Sequence, residues 1–144
     1  MMDFIRDYLD LSIFAVLGLM SVLSLAYTVE RMLHYRRLRV SDYDQLESLK
    51  LDLNKGLTTI ATIASNAPYV GLLGTVFGIM LTFYDIGQSG QIDTQAVMVG
   101  LALALKATAL GLVVAIPSMI CYNALGARAE ALQSEWKITH RRES

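Results

Sequence analysis

Charge is scarce in this chain of 144 residues: 17% are charged, against about 25% in an ordinary soluble domain, while 54% are hydrophobic. That shortage excludes a typical soluble fold and points to a membrane composition. Cysteine is nearly absent. Cys121 stands alone in an apolar run, so no intrachain disulfide and no cysteine-based metal site can form, and the residue reads as a small buried hydrophobe. Histidine is limited to His34 and His140, both in basic segments without ligand-spaced companions, so no metal site is expected. No HExxH, P-loop, GxSxG or Rossmann pattern occurs, and neither enzymatic chemistry, a cofactor nor a nucleic-acid partner is expected.

What is present is long uncharged runs separated by clustered charges. Leu11 to Val29 carries no charge and is long enough for a helix that needs about 20 apolar residues to cross about 30 Å of hydrocarbon. Gly56 to Tyr84 is also uncharged but contains Pro68, which suits a helix start better than its interior, so the second span is expected from Pro68 to Tyr84. From Thr94 to Ala127 the only charge is Lys106, and this is the third span with an extension. The expectation is an all-α membrane protein with three transmembrane helices, the second and third continuing into the cytoplasm. Beside three spans the chain has no room for a separate soluble domain.

Direction follows from where the basic residues lie. Arg31, Arg36, Arg37, Arg39, Lys50 and Lys55 fall between spans one and two, and Arg128, Lys137, Arg141 and Arg142 fall in the tail. The turn DIGQSGQID, residues 85–93, has no basic residue. By the positive-inside rule residues 30–67 and the tail 128–144 are cytoplasmic, while the short N-terminal segment 1–10 and the turn 85–93 lie outside, on what would be the periplasmic side of a bacterial inner membrane. The N-terminal stretch MMDFIRDYLD lacks a convincing cleavage pattern and reads as an anchor. Within 30–67, Leu46, Leu49, Leu53, Leu57, Ile60 and Ala64 recur at helical spacing, and Ser41 with Asp44 offers a capping-box start, which predicts an amphipathic helix feeding the second span. In the tail, Leu125, Leu132 and Trp136 share a face, so the third helix is expected to project inward and fray at its basic end.

The second span opens NAPYVGLLGTVFGIM, bringing Gly71, Gly74 and Gly78 together. The third carries Ala104, Thr108, Gly111 and Ala115 at offsets of four, three and four, a stripe of small side chains. Small residues let helix backbones approach closely in lipid, so both stripes read as packing faces, toward each other or toward further copies. Thr75 and Thr108 set hydroxyls beside these stripes; each could bond back to its own helix or serve a polar pathway. Lys106, a charge inside a span, is open to a functional role, to snorkelling or to pairing with a carbonyl. Pro117 should break or bend the third helix, as Pro68 should the second. No Asp or Glu lies within any span, and a threonine cannot ionise near neutral pH. Any proton crossing here therefore needs a carboxylate from another chain.

The segments NAPYVGLLGTVFGIM and KATALGLVVAIPSMICYNALGAR, with TVERMLHYRR after the first span, resemble the ExbB/TolQ/MotA proton-channel family, its ExbB branch closely, over nearly the whole chain. That resemblance implies a subunit of the bacterial inner membrane, a homopentamer whose pore encloses helices of an ExbD-like partner and which draws on the proton gradient to energise a TonB-like protein. It implies that the partner supplies the proton-carrying aspartate, with Thr75 and Thr108 facing it. Two departures stand out: the glutamate common in the family five residues before the third-span threonine is Leu103 here, with Lys106 also unusual, and the N-terminal segment is brief. A TolQ-like subunit for envelope integrity and a passive membrane scaffold are the competing readings.

Overall fold

Inside lipid a backbone can satisfy its own polar groups only as a helix or a closed barrel. In the computed structural model, which describes residues 2–143, the chain takes the helical solution. Helix α1 covers Met2–Arg37, α2 Leu46–Asn54, α3 Leu57–Ser89 and α4 Thr94–Glu143, with a 3-10 turn at Val40–Asp42; no strand occurs among the described residues. The tips of the two terminal segments, Met1 and Ser144, lie outside the described residues. Helices α1, α3 and α4 have 36, 33 and 50 residues, and each is long and apolar enough to cross a membrane. The three expected spans fall inside them.

The helices outrun the expected segments. Helix α1 takes up the N-terminal stretch and continues to Arg37, and α4 stays helical to Glu143 where fraying was expected. Helix α3 begins at Leu57 and passes through Pro68, as α4 passes through Pro117, so neither proline breaks its helix. Each costs one hydrogen bond, a loss of about 3 kcal/mol that packing on both sides can outweigh. Ala67 beside Pro68 is fully buried, and Ala115 and Ser118 flank Pro117 in contact with the rest of the bundle.

Residues 30–67 are not one amphipathic helix. The end of α1, the 3-10 turn and α2 come first, and the N-cap of α2 is Gln45 without a side-chain cap bond, so the Ser41–Asp44 capping box does not form. Ser41 is instead taken up by the 3-10 turn. Gly56, at φ 83°, then separates α2 from α3, a left-handed conformation for which glycine is suited. A Cβ there would also lie 2.9 Å from Cδ1 of Tyr27 on α1. The predicted apolar face survives this break: Leu49, Leu53, Leu57, Ile60 and Ala64 are all buried. At the other end α3 runs to Ser89 and closes on Gly90, φ 69°, whose N–H donates to the Ile86 carbonyl at 3.2 Å. The turn is therefore shorter than 85–93, and Asp93 Oδ1 accepts the Gln95 N–H at 3.1 Å to start α4.

Helices α3 and α4 form the most extensive pair, with α1 packed against both. Two apolar clusters hold the bundle. At the basic end, Tyr35, Leu49, Leu53, Ile60, Leu125 and Leu132 pack together, with Trp136 against them, as the shared face in the tail predicts. Within the spans, Ile13 and Leu17 of α1 meet Ala67, Ala107 and Ala115. Burying a side chain such as Leu53 or Ile60 stabilises by about 1.5–3 kcal/mol where water is the alternative, so the basic-end cluster carries the hydrophobic contribution. Between the spans, where the alternative is lipid, close contact of small residues takes over.

Candidate functional site

Backbone proximity positions the hydroxyls. A Cβ on Gly71 would lie 2.6 Å from the Ala107 carbonyl oxygen and 3.1 Å from Cα of Gly111, and one on Gly111 would lie 2.7 Å from the Ala67 carbonyl oxygen. A Cβ on Gly78 would lie 2.7 Å from that of Ala104, and one on Gly74 would lie 2.8 Å from that of Ala107 and 3.1 Å from Cγ2 of Ile13. Real Cβ atoms do not approach so closely, so the stripes of α3 and α4 are consumed by contact within one chain. Ala104 and Ala115 are buried in the same bundle.

At the centre of this seam the side chains of Thr75 and Thr108 are hydrogen-bonded to each other. Thr75 is only 6% exposed, while Thr108 is half-buried at the seam's edge. The Thr75 hydroxyl donates to the Ala104 carbonyl at 2.8 Å, with the Gly71 carbonyl at 3.3 Å as a weaker acceptor. A hydroxyl has one proton. With Thr75 donating to Ala104, Thr108 donates to Thr75 and leaves its own lone pairs free. The result is a short relay, Thr108 to Thr75 to a backbone carbonyl, in which Thr108 is the member an outside group can reach. Within one chain Thr75 stands behind Thr108.

Lys106 is exposed, and its Nζ lies 5.6 Å from the ring centroid of Phe14 on α1. Two residues along a helix turn about 200°, so it points away from Thr108, and a cation over a ring face is a favourable contact. Leu103 is half exposed and lines a cavity of about 410 Å³ where α3 ends and α4 begins, together with Thr82, Asp85, Asp93 and Gly100. Arg6 reaches Asp85 there at 3.0 Å.

Three constellations were missed in the sequence. Gly100 packs on Thr82, where an added Cβ would lie 2.5 Å from Oγ1; extending the α4 stripe by one turn finds it. Ser24 of α1 and Ser118 of α4 are buried 2.7 Å apart, and Ser118 also donates to the Val114 carbonyl at 2.8 Å. At the basic end Asp52 accepts hydrogen bonds from Tyr43 and from His34, the latter at 2.9 Å, and the guanidinium of Arg31 donates to the Asp52 carbonyl at 2.7 Å. Burial pushes the Asp52 carboxyl up, but the bonds from Tyr43 and His34 outweigh it and hold the carboxyl below its usual range. Burial, reinforced by the bond to Asp52, pushes the Tyr43 phenol up to about 12. His34 is thus part of a structural node. His140 stacks on Trp136 at 3.8 Å between ring centroids.

The profile of the MotA/TolQ/ExbB proton channel family matches residues 36–138. The chain is 52% identical over 137 residues to a biopolymer transport protein ExbB of Helicobacter pylori, covering 95% of this chain and 94% of that protein. It is 51% identical over 140 residues to the ExbB of Aquifex aeolicus, covering 97% and 95%. To the Tol-Pal system protein TolQ of Haemophilus influenzae it is 46% identical over 77 residues, covering 54% of this chain and 34% of that protein.

Proposed function

The chain belongs to the MotA/TolQ/ExbB proton channel family, and from that premise we propose that it is an ExbB-like channel subunit of a proton-driven motor. In this reading it works in the bacterial inner membrane, with its N-terminus periplasmic and its C-terminus cytoplasmic. Several copies, five by resemblance, surround helices of an ExbD-like partner, and the assembly uses the proton motive force to energise a TonB-like protein.

The observation that carries the reading is the Thr108–Thr75 relay, set in a seam with no Asp or Glu between Gly56 and Tyr84 or between Thr94 and Ala127. Such a pair can orient a proton and cannot hold one as a charge. A protonated partner carboxyl brought to the edge of the seam would donate to a free Thr108 lone pair, and once ionised it would accept the Thr108 proton in place of Thr75, whose own proton stays with the Ala104 carbonyl. The chain then supplies geometry and the partner supplies the titrating group. The ExbB branch is favoured over TolQ because two ExbB relatives align over nearly their whole length, whereas the TolQ relative, like the ExbB of Neisseria gonorrhoeae, aligns over about a third.

The test replaces each hydroxyl by an isosteric methyl. In cells that depend on this chain for TonB-linked uptake, Thr75→Val and Thr108→Val are expected to leave the assembled complex in normal amount and to lower proton-driven uptake severely. Thr82→Val, on the same helix but nearer the outer end, is expected to be milder. Near-normal uptake in all three variants would instead favour a passive scaffold, and rescue of envelope integrity without rescue of uptake would favour a TolQ-like role.

A further inference from the structure

Helices α1 and α4 leave a groove between them of about 330 Å³, lined by Thr28, Met32, Ile120 and Cys121 toward the spans and by Arg36 and Arg128 at the basic end. The same two arginines also line a second cavity of about 320 Å³, which continues past them to Arg39, Ser41 and Thr139. An apolar slot and a polar pocket therefore meet at one pair of guanidinium groups. Arg36, Arg39 and Arg128 make no ion pair or side-chain hydrogen bond among the described residues, although Glu135 lines the polar pocket. At the membrane end of the slot the Thr28 side chain, in a residue 5% exposed, has a buried hydroxyl with no partner among the described residues.

We propose that this groove seats one phospholipid with an anionic headgroup, its phosphate at Arg36 and Arg128 and an acyl chain along Met32 and Ile120 toward Thr28. The sequence of surfaces along the groove, apolar and then basic and then polar, is that of a lipid from tail to headgroup. Guanidinium groups match phosphate oxygens in bidentate geometry, and unpaired arginines at the headgroup level attract anionic lipid. A soluble phosphate compound would leave the apolar slot unused. Lipid binding needs only that α1 and α4 lie in the bilayer; assigning the lipid to the cytoplasmic leaflet rests on the orientation proposed above.

The cysteine of the groove is the only one in the chain and reports on it directly. The purified assembly, with its native lipid exchanged, is placed in nanodiscs of phosphatidylcholine with or without phosphatidylglycerol. Cys121 alkylation by a maleimide is timed, and retained lipid is weighed by native mass spectrometry. Phosphatidylglycerol is expected to slow alkylation and to be retained. At about fivefold preference per arginine, Arg36→Gln with Arg128→Gln should lower that retention by about 25-fold. Ala124→Leu, which fills the slot and keeps both arginines, should also abolish retention, and it serves as the second variant if the double substitution fails to fold. The proposal is overturned by alkylation rates equal in the two lipids, by equal retention in the variants, or by inorganic phosphate protecting Cys121 as well as the lipid does. Protection of Cys121 in every lipid would overturn it too, by giving the groove to a neighbouring copy. Loss of proton transport alone leaves these readouts unmoved, so the two readings fail separately.

Discussion

Thr75 and Thr82 sit two turns apart on α3, are both buried and differ in what they face. Thr82 donates to its own helix at Gly78, 2.9 Å away, whereas Thr75 reaches across to α4. Removing the Thr75 hydroxyl leaves Thr108 free to turn its proton elsewhere, at a cost of about 1 kcal/mol, which melting of the purified assembly can register alongside the loss of uptake. Lys106→Met is expected to leave uptake near normal, because its ammonium lies over Phe14 and away from the relay; normal assembly with abolished uptake would refute that placement. Asp52 gives a pH prediction. Its carboxyl is held below the usual range in the folded chain, so its contribution is present above the ordinary carboxylate pKa and is lost as pH falls through the lowered value. Asp52→Asn should cost about 1–3 kcal/mol near neutral pH and flatten the acid side of the stability profile, measured as unfolding temperature against pH.

Between helices the decisive contact is α3 on α4, where glycine hydrogens face backbone atoms. Gly71→Leu or Gly78→Leu has nowhere to go without driving the helices apart and should destabilise the chain itself by about 3 kcal/mol or more, read as loss of folded protein in detergent. Gly74→Leu, wedged against Ala107 and Ile13, should likewise disrupt the protomer before any contact between copies. The existence of these elements was legible in the sequence. Uncharged runs marked the three spans, and the spacing from Leu49 to Ala64 marked the face that α2 and the start of α3 bury. The boundaries were less so. Nothing local to Gly56 announces a left-handed turn, since Tyr27 on another helix shapes that site. A proline read alone looks like a stop, and only the packing around Ala67 and Ala115 shows why α3 and α4 continue. The two stripes implied that α3 and α4 meet, but not the axial register that sets Thr75 against Thr108. The Asp52 node joins residues far apart in sequence, and no periodicity announces it.

For the whole molecule the proposed orientation predicts that a cysteine at Ser89, exposed beyond the acidic end, is labelled from outside and one at Ser48 is not, in a chain whose Cys121 is replaced. The reverse pattern would invert the topology. Since the small-residue stripes are used up within one chain, copies in the proposed oligomer would meet through the large apolar side chains left outside, among them Leu73, Val76, Val113 and Ile116. Native mass spectrometry in mild detergent is expected to give one closed oligomer, five copies by resemblance; monomers that keep full uptake would refute it. Helix α4 has a mechanical consequence. Its 50 residues make a rod of about 75 Å, more than twice the hydrocarbon thickness, running from the turn after α3 through Thr108 to the stacked Trp136–His140 pair. With about 50 Å between Thr108 and His140, a tilt of about 5° pivoting at the relay sweeps the far end by about 4 Å. The rod has one soft joint, at Pro117, where the ladder lacks a hydrogen bond. In the proposed function, how stiffly that joint transmits motion would decide how much of a protonation event beside Thr108 arrives as displacement at the basic end of α4.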